Sequence, residues 1–308
     1  MNRIFQTYYT AADRISVLFL VLLSIIELSF GLFTSAYALY AVVNGVIIAL
    51  IVSSVRHVHR KKEKSNPAVM LFRDWYLLPL ILIVYSQAAS INHSIHGRDY
   101  DTVLIALDRW IFGTDPTVWI FRFAHPVVTE ILQIAYASYY LFFIALFVEL
   151  YRRSDLAQFH HGAFLVVYGF YLSYIGYLLF PAVGPRFYLH DFFATDTELP
   201  GIFLTPYLRE IVNSGGGIPA GVSNPIEYVH RDAFPSGHTQ LTMVAMYIAF
   251  TARTKIRWWL FTGGSLLIIS TIYMRYHYVV DVMAGMAFFL FTIWSGKRIY
   301  SIIKTGSP

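Results

Sequence analysis

Long apolar stretches dominate this sequence and limit what the chain can fold into. Eight candidate spans follow one another, with approximate bounds 15–33, 36–55, 75–92, 127–150, 162–183, 237–252, 257–275 and 277–296. About 20 apolar residues can cross a bilayer as a helix, which satisfies its own backbone hydrogen bonds. The sequence therefore predicts an all-α fold, a polytopic membrane helix bundle of about eight transmembrane helices.

The composition supports a membrane protein and excludes several other classes. Only 13% of the residues are charged, against about 25% in soluble domains. The net charge of +5 does not indicate nucleic acid binding, because the basic residues lie between apolar spans. The chain has no cysteine, which excludes disulfides, thiolate metal sites and a cysteine nucleophile. No other motif has the ligands of a metal site, and we predict neither a metal nor another cofactor.

Positive charge orients such a bundle, because Lys and Arg concentrate on its cytoplasmic side. Sixteen of the 23 Lys and Arg residues fall in segments that would share one side. The seven on the opposite side are Arg98, Arg109, Arg122, Arg186, Arg209, Arg231 and Arg275. This asymmetry predicts that both termini face the cytoplasm. The long segments 93–126 and 184–236 would then face the periplasm, another extracytoplasmic space or a lumen.

The two outward segments carry signals of their own. Residues 99–121 mix aromatic side chains with regularly spaced charge, which predicts a helix lying in the membrane interface with Trp110 and Trp119 at headgroup level. Residues 187–233 are long for a connection. They are consistent both with a structured binding loop and with an unstructured linker.

Three polar stretches lie at the outward ends of spans, so they can converge on one membrane face. They are PAVGPRFY (181–188), FPSGH (234–238) and MRYHYVVDVMAG (274–285). In the third, His277 and Asp281 are four residues apart, a spacing that places both on one face of a helix. A carboxylate that binds one imidazole nitrogen fixes the tautomer and leaves the other nitrogen as a nucleophile or base.

The other two stretches supply groups that suit a phosphate. Pro235 fits the first turn of a helix, and Ser236 and Gly237 offer amides at its positive end, which attracts anions. His238 would follow as a proton donor for a departing oxygen. Arg186 follows Gly-Pro and can bind two phosphate oxygens at once.

Each of these residues also has a purely structural explanation. A histidine at a span end can be an interfacial residue, a serine before glycine can be a helix cap, and an arginine can snorkel. The histidine and aspartate can be a structural pair. Their joint occurrence on one face is what favours phosphoryl transfer.

PSGH together with His-x-x-x-Asp resembles the type-2 phosphatidic acid phosphatase superfamily over about 127–296. Membrane members are metal-independent lipid phosphatases and phosphotransferases. LDRWIFGTDP (107–116), GPRFY and HYVVDVMAG are similar to the inositol phosphorylceramide synthase branch, which transfers inositol phosphate. The resemblance implies three regions: N-terminal transmembrane helices (1–92), an outward interfacial segment (93–126) and a six-helix phosphatase-like catalytic core (127–300).

The resemblance also implies roles for individual residues. His277 matches the nucleophile that becomes phosphohistidine, Asp281 its orienting carboxylate, and His238 the general acid and base. The phosphate-binding residues would be Ser236, Gly237 and Arg186.

Two cations of the phosphatase pattern are missing. Leu179 stands where the first motif has lysine, and Thr271 follows Ser270 where the third motif has arginine. Arg275 is a further candidate phosphate ligand, although two residues on a continued helix point about 200° apart.

These observations predict an integral-membrane phosphoric monoester hydrolase or phosphotransferase that acts on a membrane lipid phosphate. One alternative is a head-group-transferring synthase with an alcohol or lipid acceptor. Another class stays open as well, a transporter or non-catalytic scaffold. The gathering of ionisable residues at one face, and not at mid-membrane, argues against the transporter.

Overall fold

The computed structural model describes residues 9–31, 35–61, 66–95, 98–153 and 156–305, and within these ranges all regular elements are helices. The α-helices are α1 (Ala11–Gly31), α2 (Ser35–Lys61), α3 (Pro67–Trp75), α4 (Leu77–Ile95), α5 (Asp101–Phe112), α6 (Pro116–Ile120), α7 (Pro126–Ala137), α8 (Tyr139–Arg152), α9 (Leu156–Leu179), α10 (Pro185–Tyr188), α11 (Thr195–Glu198), α12 (Thr205–Gly215), α13 (Gly237–Thr251), α14 (Arg257–Tyr273) and α15 (Val279–Thr305). The all-α prediction is confirmed for this part of the chain.

Helix α9 lies at the centre of the bundle. It is apolar around its whole circumference, which is typical of a helix buried on all sides, and most of its residues are buried. It packs against α1, α4, α13 and α15. Near its end, a Cβ atom on Gly176 would lie 2.4 Å from Cδ of Pro235. This glycine therefore allows the FPSGH segment to contact α9 closely.

Three helical stretches within the described residues are long and apolar enough to cross a membrane: Ala36–Arg60, Leu156–Leu179 and Val279–Ile303. Two bent pairs raise the number to five if each pair is one span. They are Pro67–Trp75 with Leu77–Asn92, bent by 45°, and Pro126–Ala137 with Tyr139–Arg152, bent by 53°. A multi-pass membrane protein is confirmed at this level, whereas the number eight is not.

The remaining predicted spans differ from single long apolar helices for physical reasons. Helices α13 and α14 have 15 and 17 residues, fewer than the about 20 that a straight crossing needs. Helix α1 has 21 residues but includes Asp13, Arg14 and Glu27. Glu27 is buried, and its carboxylate accepts a hydrogen bond from the amide of Asn44 at 2.9 Å.

The stretch 127–150 is broken at Ser138, where α7 ends and α8 begins. The Ser138 hydroxyl donates to the carbonyl of Ile134 at 2.7 Å, a side-chain bond that competes with helical hydrogen bonding and bends helices. The expected helix over 99–121 is likewise divided into α5 and α6. Gly113 ends α5 in a left-handed conformation (φ 69°), and Pro116 begins α6.

The segment 187–233 contains two short helices, α11 and α12, and a 3-10 turn. Glu130 of α7 fastens it. The Glu130 carboxylate accepts hydrogen bonds from the amides of Ile202 (2.8 Å) and Leu204 (2.6 Å) and from the hydroxyl of Thr205 (2.6 Å). The structured-loop interpretation therefore describes this segment better than the unstructured linker.

Candidate active site

Main-chain hydrogen bonds join the three polar stretches. Each pair of stretches is joined by a bond from one main-chain amide to one main-chain carbonyl, counting Ala233 with the FPSGH stretch that it precedes. The amide of Ala233 donates to the carbonyl of Ala182 (3.0 Å), that of Arg186 to Arg275 (3.1 Å) and that of Ser236 to Asp281 (3.0 Å). Gly184 makes the junction possible, because it has φ 96° and a Cβ there would lie 2.5 Å from the carbonyl oxygen of Tyr276. The structure thus brings together segments that are nearly 100 residues apart.

His277 is buried in the turn before α15, and its ring orientation is fixed. Its Nδ1 lies 2.8 Å from the carbonyl oxygen of Ala233 and 3.5 Å from Oδ2 of Asp281. A carbonyl oxygen can only accept, so Nδ1 carries the proton and Nε2 keeps its lone pair. The closer orienting group is therefore a main-chain carbonyl, with the carboxylate as a second neighbour.

Asp281 lies in the first turn of α15 and is fully buried. Its Oδ2 accepts the amide of Tyr278 at 2.8 Å, and its Oδ1 has no hydrogen-bond partner among the described residues. The sequence predicts His277 and Asp281 on one helix, but His277 lies in the turn before α15 and only Asp281 belongs to the helix. The i, i+4 proximity is nevertheless present.

His238 is the second residue of α13, and tyrosines hold its ring. The ring lies against Tyr136 (centroids 4.5 Å apart) and Tyr139 (4.4 Å). The centroid of the His277 ring is 5.8 Å away. Both imidazoles can therefore reach one phosphate group placed between them.

At the start of α13, the Ser236 side chain caps the helix, whereas His238 lines the cavity. The Ser236 hydroxyl accepts the amide of Thr239 at 3.2 Å as the N-cap, and Ser236 is fully buried. The amide of His238 has no partner within the described structure and lies at the positive end of the helix. The helix begins at Gly237 with Ser236 as its N-cap, so Pro235 precedes the cap and does not occupy the first helical turn.

Arg186 is buried at the start of α10 and has no carboxylate within ion-pair distance in the described ranges. One guanidinium nitrogen donates to the Asn213 side chain at 2.7 Å. The guanidinium also lies over the ring of Tyr276, 5.0 Å from its centroid. A buried guanidinium without an acid is suited to an anionic ligand.

Arg275 is directed elsewhere. It has a left-handed backbone (φ 64°), its guanidinium pairs with Glu198 of α11, and it lies over the ring of Phe121. It is not among the residues that line the cavity at the histidines. The premise of a continued helix does not hold, since α14 ends at Tyr273 and α15 begins at Val279.

A cavity of about 240 Å³ connects these groups. Its wall includes both histidines, Arg186, Gly237 and Asp232, together with seven tyrosines: Tyr85, Tyr136, Tyr139, Tyr140, Tyr174, Tyr177 and Tyr276. Arg186 is the one Arg or Lys and Asp232 the one carboxylate on this wall in the described part of the chain. The cavity can therefore hold a charged group at one place and aromatic or hydroxylated groups around it.

The two replaced positions of the phosphatase pattern supply no cation here. Leu179 is exposed at the end of α9. The main-chain carbonyl of Thr271 instead accepts the amides of Tyr276 and His277, both at 3.0 Å. Position 271 thus supports the turn that carries His277.

Two positioning residues on α5 were not predicted from the sequence. Asp101 accepts the amides of Val183 (3.0 Å) and Gly184 (2.8 Å). Asp108 accepts those of Val279 (3.0 Å) and Val280 (2.8 Å) at the start of α15. Burial raises the pKa of both carboxyls above the ordinary aspartate value, and the amide donors oppose that rise.

A spacing of seven residues was the available signal for these two aspartates, because it places both on one helix face. Leu104, which lies between them in sequence, is also buried. The mixture of aromatic side chains and regularly spaced charge in this stretch indicates only an interfacial helix.

Metal ligands do not cluster in the part of the chain that the structure describes. No group of three or more His, Asp or Glu side chains there is placed to hold a metal ion.

The sequence of this chain is similar to a protein family and to a curated relative. The family model for the PAP2 superfamily matches residues 102–295, more than half of the chain. A PA-phosphatase related-family protein of Dictyostelium discoideum is 24% identical over 188 residues, which cover 54% of this chain and 32% of that protein. The match therefore spans about a third of that relative's length. No solved structure matches the chain.

The chain belongs to the PAP2 superfamily. The resemblance to the type-2 phosphatidic acid phosphatase superfamily is thereby confirmed. The narrower resemblance to inositol phosphorylceramide synthases stays a prediction.

Proposed function

We propose that this protein transfers the phosphoryl group of a membrane lipid phosphate through a phosphohistidine at His277. The observation that carries the proposal is the His277 ring, held by the Ala233 carbonyl with Nε2 free, beside His238 in one cavity. Superfamily membership supports a phosphatase-type reaction.

In the first step, the lone pair of His277 Nε2 forms a bond to phosphorus as the bond from phosphorus to the leaving alcohol oxygen breaks. His238 gives its proton to that oxygen. The positive charge on the His277 ring is stabilised by the Ala233 carbonyl and by Asp281. Arg186 and the free amide at the start of α13 stabilise the negative phosphate oxygens.

In the second step, an oxygen nucleophile attacks the phosphohistidine and the bond from nitrogen to phosphorus breaks. His238 removes the proton from that nucleophile, which restores both histidines. With a phosphate monoester, His277 carries a phosphoryl group and water releases inorganic phosphate. With a phosphodiester whose diacylglycerol oxygen is the leaving group, His277 carries the phospho-head-group, which is released by water or transferred to an alcohol. The chemistry of the histidines is the same for both acceptors.

The proposal includes a topology. Three long helices, two bent pairs and helices α1, α13 and α14 would together make eight crossings, with both termini in the cytoplasm. The distribution of Lys and Arg supports this arrangement. It places the cavity at the periplasmic, extracytoplasmic or lumenal face.

The test is turnover by the purified protein of phosphatidic acid and phosphatidylinositol, each with and without added inositol or ceramide. We expect loss of at least about 1,000-fold in kcat for His277→Asn. His190→Asn is the matched control, because His190 bonds to the Thr117 hydroxyl outside the cavity. Wild-type activity in a folded His277→Asn protein would contradict the mechanism, and the acceptor arms separate hydrolysis from transfer.

A further inference from the structure

Asp232 is a carboxylate in the catalytic cavity that the proposed mechanism does not use. It immediately precedes Ala233, whose carbonyl orients His277. No Lys, Arg or His side chain lies within ion-pair distance of Asp232 in the described structure. Asp232 is partly exposed on the cavity wall, so a ligand in the cavity that carries a cation can pair with it.

A hydrogen-bonded chain holds the Asp232 carboxylate in place. The Tyr85 hydroxyl donates to Oδ2 of Asp232 at 2.6 Å, and Nδ1 of His230 lies 2.9 Å from the same hydroxyl. Tyr85 has one hydroxyl proton, so it accepts from His230 when it donates to the carboxylate. This direction of bonding gives Oδ2 of Asp232 a hydroxyl donor and fixes the orientation of the carboxylate.

The charges of the cavity fit a zwitterion. Its wall carries one guanidinium, Arg186, and one carboxylate, Asp232. A doubly charged phosphate monoester would be repelled by Asp232 and would have a single arginine to balance it. A phosphodiester with one negative charge and an ammonium group matches one Arg and one Asp.

Aromatic rings around Asp232 also favour an ammonium group. Tyr140 and Tyr177 line the same cavity and lie close enough to Asp232 to interact with its charge. Tyrosine faces attract cations, and they do so most strongly for ammonium groups removed from water. An inositol head group would offer this corner only neutral hydroxyls.

We infer that Asp232, Tyr85, Tyr140 and Tyr177 form a subsite for the ammonium group of a zwitterionic phospholipid head group, the class to which ethanolamine and choline lipids belong. Arg186 would bind the phosphate of the same head group. The inference rests on the proposed function for the identity of the lipid phosphate, and it adds what recognises the rest of the head group.

The first test compares kcat/KM for phosphatidylethanolamine, phosphatidic acid and phosphatidylinositol in nanodiscs. Asp232→Asn keeps the shape but removes the charge, so we expect about 10-fold or greater loss with phosphatidylethanolamine. We expect a change of less than about 2-fold with phosphatidylinositol and an unchanged or higher value with phosphatidic acid, because the repelling charge is gone. Tyr85→Phe should give a smaller loss of the same selectivity. Glu210→Gln is the matched control, since Glu210 is an exposed acid of α12 outside the cavity wall.

The second test measures binding without turnover. In the His277→Asn protein, O-phosphoethanolamine should raise the melting temperature more than inorganic phosphate does, and Asp232→Asn should abolish the difference. Selective binding without turnover of any lipid by the wild-type protein would overturn the proposed function and leave the subsite standing. Equal effects of Asp232→Asn on all three lipids, or none on phosphatidylethanolamine, would overturn the subsite.

Discussion

At the scale of single residues, the roles of the two histidines follow from what each ring contacts. A main-chain carbonyl accepts a hydrogen bond from Nδ1 of His277, so Nε2 of that ring is the atom we propose as the nucleophile. The His238 ring contacts tyrosine faces and makes no hydrogen bond to a described side chain. This difference in contacts is why we propose His277 as the nucleophile and His238 as the group that exchanges a proton with the substrate.

Arg186 provides a direct prediction at this scale. Arg186→Lys keeps the positive charge but loses the planar fork that binds two oxygens at once. A hydrogen bond to a charged group contributes about 1.5–3 kcal/mol, so kcat/KM should fall by about 10- to 100-fold in a steady-state assay. Arg122→Lys is the control, because Arg122 is an outward arginine exposed against Trp119. An Arg186→Lys enzyme as active as the wild type would show that the guanidinium does not bind phosphate.

The residue types in the site could be predicted from the sequence, whereas their partners could not. His238, His277 and Asp281 have spacings that indicate chemistry. The carbonyl of Ala233 leaves no trace in the sequence, because every residue has one. Asp232 also gave no signal, since its proposed role depends on tyrosines of distant helices that line the same cavity.

At the scale of elements, α5 is a brace for the site as well as a candidate interfacial helix. Asp101 holds the turn before Arg186, and Asp108 holds the start of α15 beside His277. Trp110, on the same helix, is 81% exposed. One helix thus fastens two active-site segments with two carboxylates and presents a tryptophan to its surroundings.

Asp108→Ala tests this bracing role. It would leave the amides of Val279 and Val280 without an acceptor, which costs about 1–3 kcal/mol. We expect a lower melting temperature in detergent and a several-fold lower kcat. The control is Asp115→Ala in the same segment, because Asp115 pairs with the exposed Arg109 and makes no capping bond, so its melting temperature should change little. Equal melting temperatures for the two variants would contradict the brace.

Most helix positions could be predicted from apolar runs, but the breaks could not. The bend at Ser138 depends on which carbonyl its hydroxyl binds, and hydropathy does not report that choice. The exact ends of α13 and α14 could not be predicted from hydropathy either, because apolar residues continue from these helices into the turns that follow.

At the scale of the whole molecule, the charge asymmetry predicts which side of the membrane the cavity faces. The chain has no cysteine, so single cysteines can report sidedness without a background. Tyr207 lies in α12 on the side of the cavity, and Thr251 is the last residue of α13, at the end away from His238. Both positions are exposed and suit substitution by cysteine.

A membrane-impermeant maleimide applied to intact cells should label Tyr207→Cys. It should label Thr251→Cys only after permeabilisation. Labelling of both from outside, or the reverse pattern, would contradict the proposed orientation.

The central claim is covalent catalysis by His277, and trapping the intermediate tests it most directly. Purified protein would be mixed with phosphorus-labelled lipid phosphate, quenched in base, where phosphohistidine survives, and mapped by mass spectrometry. We predict label on His277 in the wild type, weaker labelling of His277 in His238→Asn because the leaving alcohol then lacks its proton donor, and no label in His277→Asn. Turnover at the wild-type rate by His277→Asn, or label on another residue, would contradict the claim.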